Sequence, residues 1–160
     1  MKFIYQDLLR FLKEQPSKAA LSEKLFQLGH EHDINGEIFD MEITPNRGDC
    51  LSLIGLSRDL NYFYNSKDSV EIYNEDLDVL DLDFRNLSIT SCPKITFLGI
   101  EIHEDISSYK PYLENYFSQL GNKKTNFFTD ISNYISYEQG QPTHCFDKKS
   151  LTKDLTFTNK

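Results

Sequence analysis

DMEITPNRGDCLSLIGLSRD, residues Asp40–Asp59, reads as a strand that ends, turns and opens a helix. Phe39, Met41 and Ile43 alternate with Asp40 and Glu42, the two-residue period of a half-buried strand. Thr44-Pro45-Asn46-Arg47-Gly48 breaks that period, and Leu53, Leu56, Leu60 and Phe63 then recur at helical spacing. The spacing predicts a helix from about Cys50 to Tyr64 with Asp49 as its N-cap. Upstream, Asn35-Gly36 between Glu31–Ile34 and Glu37–Ile43 predicts a hairpin through a type I′ turn. Further back, Ile4, Leu8 and Leu12 predict a first helix that stops before Pro16. Ser17 caps a second, with Leu21, Leu25 and Leu28 as its stripe and Gly29 at its close. Residues 1–65 are thus expected to form a small α+β domain.

Downstream the composition changes. Between Asp68 and Asp83 lie seven acidic residues and no basic one, interleaved with Val70, Ile72, Leu77, Val79, Leu80 and Leu82. This predicts short edge strands within a solvated connection, and a domain boundary at 66–88. Residues 89–160 then form a second unit: strand Ile95–Ile102, helix Tyr112–Leu120 opened by Pro111 and closed by Gly121, helix Ile131–Gln139, and an extended Gln141–Phe146. Asp154–Lys160 shows no helical or turn closure, as a cut or frayed end would.

The net charge is −8 and the isoelectric point near 4.9, against the basic face expected of a chain that holds nucleic acid by its phosphates. Charges interrupt the apolar positions of MKFIYQDLLRFLKEQ, so it lacks a signal-peptide core, and no apolar run reaches membrane-spanning length. Cys50, Cys92 and Cys145 are odd in number and widely spaced, which suits a reducing compartment. The expectation is a cytoplasmic protein without a membrane partner.

With Asn126–Asp147 (NFFTDISNYISYEQGQPTHCFD), the opening stretch carries a resemblance. The two segments resemble, in order, the patterns D-x-E-I-T-P-N-R-x-D-C-L-S-x-x-G-x-x-R and N-x-x-x-D-x-x-N-Y-x-x-x-E-x-G-Q-P-x-H-x-F-D of the bacterial phenylalanyl-tRNA synthetase beta subunit. The resemblance implies the N-terminal portion of that subunit: the first small domain followed by the beginning of an α+β editing-type domain. Relatives insert a tRNA-binding OB fold near Asn35-Gly36, where this chain has only a turn. Also implied are an alpha subunit and the remainder of the beta subunit as partners, tRNA(Phe) bound only by the complete enzyme, and ATP and Mg2+ used by the whole synthetase but not held by this chain. The implied role is to support aminoacylation of tRNA(Phe) and, once completed by downstream chain, hydrolytic editing of mischarged tyrosyl-tRNA(Phe). The alternative is a free-standing, non-catalytic binding protein derived from the beta subunit.

By this resemblance Asn133 and His144 match editing-pocket positions, His144 to hold water or the ester and Asn133 to orient the substrate. Packing roles remain open for both. Ligation residues are not expected here. Glu42, Pro45, Asn46, Arg47, Asp49, Gly55 and Arg58 read as structural: Arg47 can reach Glu42 or Asp49, Gly55 is a packing glycine and Arg58 a buried or interface ion-pair partner. Asp49 would repel an anion from the helix start behind it. Cys145 reads as a small buried residue, and His103 as exposed. His30-Glu31-His32 with Cys50 lacks the paired spacing of a structural zinc site, so no metal is expected.

Overall fold

Lys2–Ile4 forms a short strand, β1, in a computed structural model that describes residues 1–66, 76–103, 106, 108–151 and 154–159. The spacing of Ile4, Leu8 and Leu12 marks burial correctly, since all three are buried, but the helix expected from Ile4 shrinks to α1, Tyr5–Leu9. Ile4 is instead paired with Ile38, and its backbone N–H donates to the Tyr137 hydroxyl at 3.2 Å. Helix α2, Lys18–Gln27, starts as predicted, with Ser17 Oγ accepting from the Ala20 N–H, and Gly29 follows it at φ +84°.

Strands β2 (Glu31–Asn35) and β3 (Ile38–Glu42) form the expected antiparallel hairpin, but the turn sits one residue later. Asn35 pairs with Ile38, leaving Gly36-Glu37 as the loop. Only Gly36 of these two has a positive φ, +62°, which is the type II′ pattern and corrects the type I′ expectation. Lys18 fixes this position from α2, donating to the Gly36 carbonyl at 3.1 Å and pairing with the Glu37 carboxylate. The connection is two residues long, so no domain is inserted there. The sheet order is β1-β3-β2, and Phe3, Phe39 and Met41 bury its inner face against Leu8, Leu21, Leu25, Leu53, Leu56 and Leu60. The Phe3 and Phe39 rings stack at 5.0 Å.

Gly48–Cys50 forms a single 3-10 turn, and helix α3 runs Leu53–Phe63. The expected cap at Asp49 is therefore corrected: Ser52 caps α3, its Oγ accepting from the Gly55 N–H at 3.0 Å, while Asp49 is taken by arginines. Helix α4, Pro111–Leu120, closes at Gly121 as predicted. Helix α5, Phe127–Gln139, begins four residues earlier than expected because the Asn126 side chain caps it, accepting from Thr129 N–H.

Two compact units result, Met1–Val70 with Ser107–His144, and Glu71–Ile106 with Cys145–Lys160. This differs from the division expected at 66–88: α4 and α5, assigned from sequence to a second domain, pack within the first unit. Polar contacts explain it. Arg10 donates to the Tyr134 hydroxyl at 2.9 Å and pairs with Glu138, and Tyr137 donates to Asp7 Oδ2 at 3.1 Å. Leu113, Tyr116, Phe117 and Tyr134 form the apolar seam between α4 and α5, with Tyr116 edge-on to Tyr134.

The other unit is built on β4, Asp83–Asn86, parallel to β5, Asp154–Phe157. The tail expected to lack closure is thus a strand, and Asn159 N–H donates to Ser88 Oγ beyond it. Ile95–Ile102 is not a strand. Alternating apolar residues need a partner edge to become one, and among the described residues none pairs with this segment; Leu98 and Ile100 stay exposed. Phe97 does meet Phe84 edge-on at 4.8 Å. Leu77, Val79, Leu80 and Leu82 likewise lie outside any strand, while Val70 and Ile72 fall outside the described residues. Helices and small sheets together make an α+β fold.

Candidate functional site

An open cleft of about 530 Å3 lies against α4 and α5, lined by Leu51, Tyr116, Asn122, Lys123, Asn133, Ser136 and Tyr137. Asn133, Ser136 and Tyr137 occur on α5 at i, i+3 and i+4, one helical face, and Asn122 and Lys123 follow the left-handed Gly121 that ends α4. The cleft floor is rigidly set. Tyr137 bonds Ile4 N–H and Asp7, and burial pushes its phenol well above the ordinary tyrosine range. Gly140 closes α5 at φ +71°, so close to Ser52 that a Cβ there would stand 2.9 Å from Ser52 Oγ.

Of the two editing-pocket candidates, Asn133 is exposed into this cleft, while His144 is exposed in the segment after α5 and is not among the lining residues. Of the two, the cleft takes only Asn133 into its lining. Gln141–Phe146, expected as extended, belongs to no strand, and Cys145 is exposed, correcting its expected burial: the segment joins no sheet whose inner face could take the side chain. Sequence reasoning missed Tyr116, Lys123, Ser136 and Tyr137; helical spacing from Asn133 could have found the last two.

Among the described residues the cleft lining holds no carboxylate, and Lys123 is the one cation there.

The structural motif assembles a charged cluster. Arg47 reaches Asp49 through Nε at 3.0 Å and Asp59 through Nη2 at 2.6 Å, and Arg58 reaches Asp49 at 2.6 Å. Glu42, Pro45 and Asn46 are exposed on β3 and the turn, and Arg47 turns to Asp59 rather than Glu42. The bond from Arg47 holds the Asp49 carboxyl at about 2. Burial opposes ionisation of Asp59, but its bonds from Arg47 and His30 outweigh this and lower it. Burial and then Asp59 push the Cys50 thiol up to about 12, which leaves it unsuited to nucleophilic work. Gly55 lies against this turn: a Cβ would stand 1.8 Å from the Asp49 carbonyl oxygen.

Residues 92–160 match the family model described as B3/4 domain. The chain is 35% identical over 127 residues to a phenylalanine-tRNA ligase beta subunit from Blochmanniella floridana, covering 77% of this chain and 16% of that protein. It is 30% identical over 164 residues to the one from Fusobacterium nucleatum subsp. nucleatum, covering 92% and 19%. The chain belongs to the phenylalanine-tRNA ligase beta subunit family. A relative from Psychrobacter arcticus matches at 28% over 130 residues, covering 76% of this chain and 16% of that protein. The chain thus spans less than a fifth of the length of these curated relatives, and no solved structure matches it. No helix among the described residues is long and apolar enough to cross a membrane.

Proposed function

We propose that this chain acts in protein biosynthesis as the N-terminal portion of a phenylalanine-tRNA ligase beta subunit, in the cytoplasm, with an alpha subunit and further beta-subunit chain as partners. The observation that carries this reading is the beta-subunit match across most of the chain. Ligation, with its ATP and Mg2+, then belongs to the alpha subunit. This chain supplies scaffold and one wall of a hydrolytic editing pocket for tyrosyl-tRNA(Phe). Such a pocket answers a chemical need, because a site shaped for an apolar ring rejects one extra hydroxyl poorly.

In that pocket Asn133 orients the aminoacyl group from α5, and His144 holds the water or ester once further chain folds over it. Ester hydrolysis requires a water near the carbonyl and donors placed for the oxyanion, and an open cleft leaves both to bulk solvent. The isolated chain is therefore inactive. In the complete αβ enzyme, His144→Ala slows deacylation of tyrosyl-tRNA(Phe) while phenylalanine charging is unchanged. Deacylation by the isolated 160-residue chain, abolished by His144→Ala, would replace this reading with that of a free-standing hydrolase.

A further inference from the structure

His30, Cys50 and Asp59 come from three separately fixed places: the residue before β2, the 3-10 turn and α3. His30 is held by its backbone N–H on the Leu25 carbonyl at 2.8 Å. The three potential ligand atoms lie within 4.8 Å of one another, with His30 Nε2 3.2 Å and Cys50 Sγ 3.7 Å from Asp59 Oδ2. Tetrahedral zinc with ordinary bond lengths sets nitrogen and oxygen ligands about 3.3 Å apart and sulfur and oxygen about 3.6 Å apart. The two edges to Asp59 fit, and the His30–Cys50 edge, within 4.8 Å, closes by a side-chain adjustment when the metal enters. We propose that His30, Cys50 and Asp59 form a zinc site that the Arg47 guanidinium plugs when no metal is bound.

Arg47 already marks where a cation is wanted: its Nη2 lies 2.6 Å from Asp59 Oδ2 and 2.8 Å from Cys50 Sγ. It sits on the turn before the 3-10 segment, with its side chain partly exposed and a second acceptor in Asp49, so it has somewhere to go when displaced. A water completes the fourth position, since Asp49 keeps Arg47 and Arg58. On binding, the Cys50 thiol gives its proton to solvent and the thiolate takes the metal. Sequence spacing missed the set because Asp59 lies on a helix far from the His30-Glu31-His32 stretch.

The test titrates cobalt(II) chloride alone into the 160-residue chain carrying Cys92→Ser and Cys145→Ser, so that Cys50 is the remaining thiol. A thiolate-to-cobalt charge-transfer band that zinc displaces is expected. Cys50→Ser abolishes it, His30→Gln weakens binding about tenfold or more, and Arg47→Ala, by removing the competing cation, tightens it about tenfold. Should Cys50→Ser fail to fold by far-ultraviolet circular dichroism, His30→Gln and Arg47→Ala carry the test. The proposal is overturned if neither the parent nor Arg47→Ala shows the band, if His30→Gln leaves it unchanged, or if Arg47→Ala weakens binding.

Discussion

Alanine in place of Gly55 puts opposite effects in competition at one atom. Within an ordinary helix the change stabilises by about 1 kcal/mol, because glycine loses more backbone freedom on folding. Here the added Cβ would stand 1.8 Å from the Asp49 carbonyl oxygen and 2.9 Å from its carbon, far inside any real contact. The obstacle is backbone, so no rotamer relieves it; α3 must move more than an ångström from the 3-10 turn. That movement also stretches the Ser52 cap and the Arg47–Asp59 and Arg58–Asp49 pairs. Overpacking costs about 1–3 kcal/mol and more where backbone must shift, so a net loss of about 3 kcal/mol is expected. For a chain of this size that lowers the melting temperature by about 6–12 °C. Gly48→Ala is the internal control, since a Cβ there meets nothing within 4 Å and φ is not left-handed. Urea and thermal unfolding of the three proteins decide it: if Gly55→Ala matches or exceeds wild type, the close approach of α3 to the turn is wrong.

Burial raises the Asp7 carboxyl above its ordinary value, more than the bond from Tyr137 and the nearby Arg10 lower it. Asp7 therefore favours the folded state at low pH and loses that contribution as pH rises through its raised value, so Asp7→Asn should melt near wild type in acid and above it at neutral pH; a difference independent of pH would contradict this. Tyr109→Phe strips the buried Asp130 of a 2.6 Å bond, leaving it the Thr125 N–H, and should cost about 1–3 kcal/mol in urea unfolding; no loss would mean Asp130 is satisfied without Tyr109. Ser52→Ala should cost about 1–2 kcal/mol by leaving the Gly55 N–H unpaired, and an unchanged urea midpoint would refute the cap.

What local chemistry determines was readable in the sequence. Ser17, Gly29, Pro111 and Gly121 act within a turn of helix, and they appear where spacing placed them. What distant partners decide was not. Ile4 became a strand because Ile38 and Tyr137 claim it, and Gly36 rather than Asn35 opens the hairpin turn because Lys18 reaches it from α2. Asp49 has a good capping side chain, but two arginines outbid the helix for it and Ser52 serves instead. At the site, the motif pointed to Asn133 from residue identity alone, whereas the cleft around it depends on α4 and α5 packing together, and the His30, Cys50 and Asp59 set depends on three elements converging.

The hydroxyl of Tyr137 on the backbone of Ile4 closes a span of 133 residues. A ribosome adding about 5–20 residues per second takes on the order of ten seconds to make the second partner after the first. Through that interval β1 can pair with β3, but Asp7 and Arg10 wait for α5. The opening residues of this chain are made long before the α5 residues that complete their contacts, a sequence separation of the kind that slows folding.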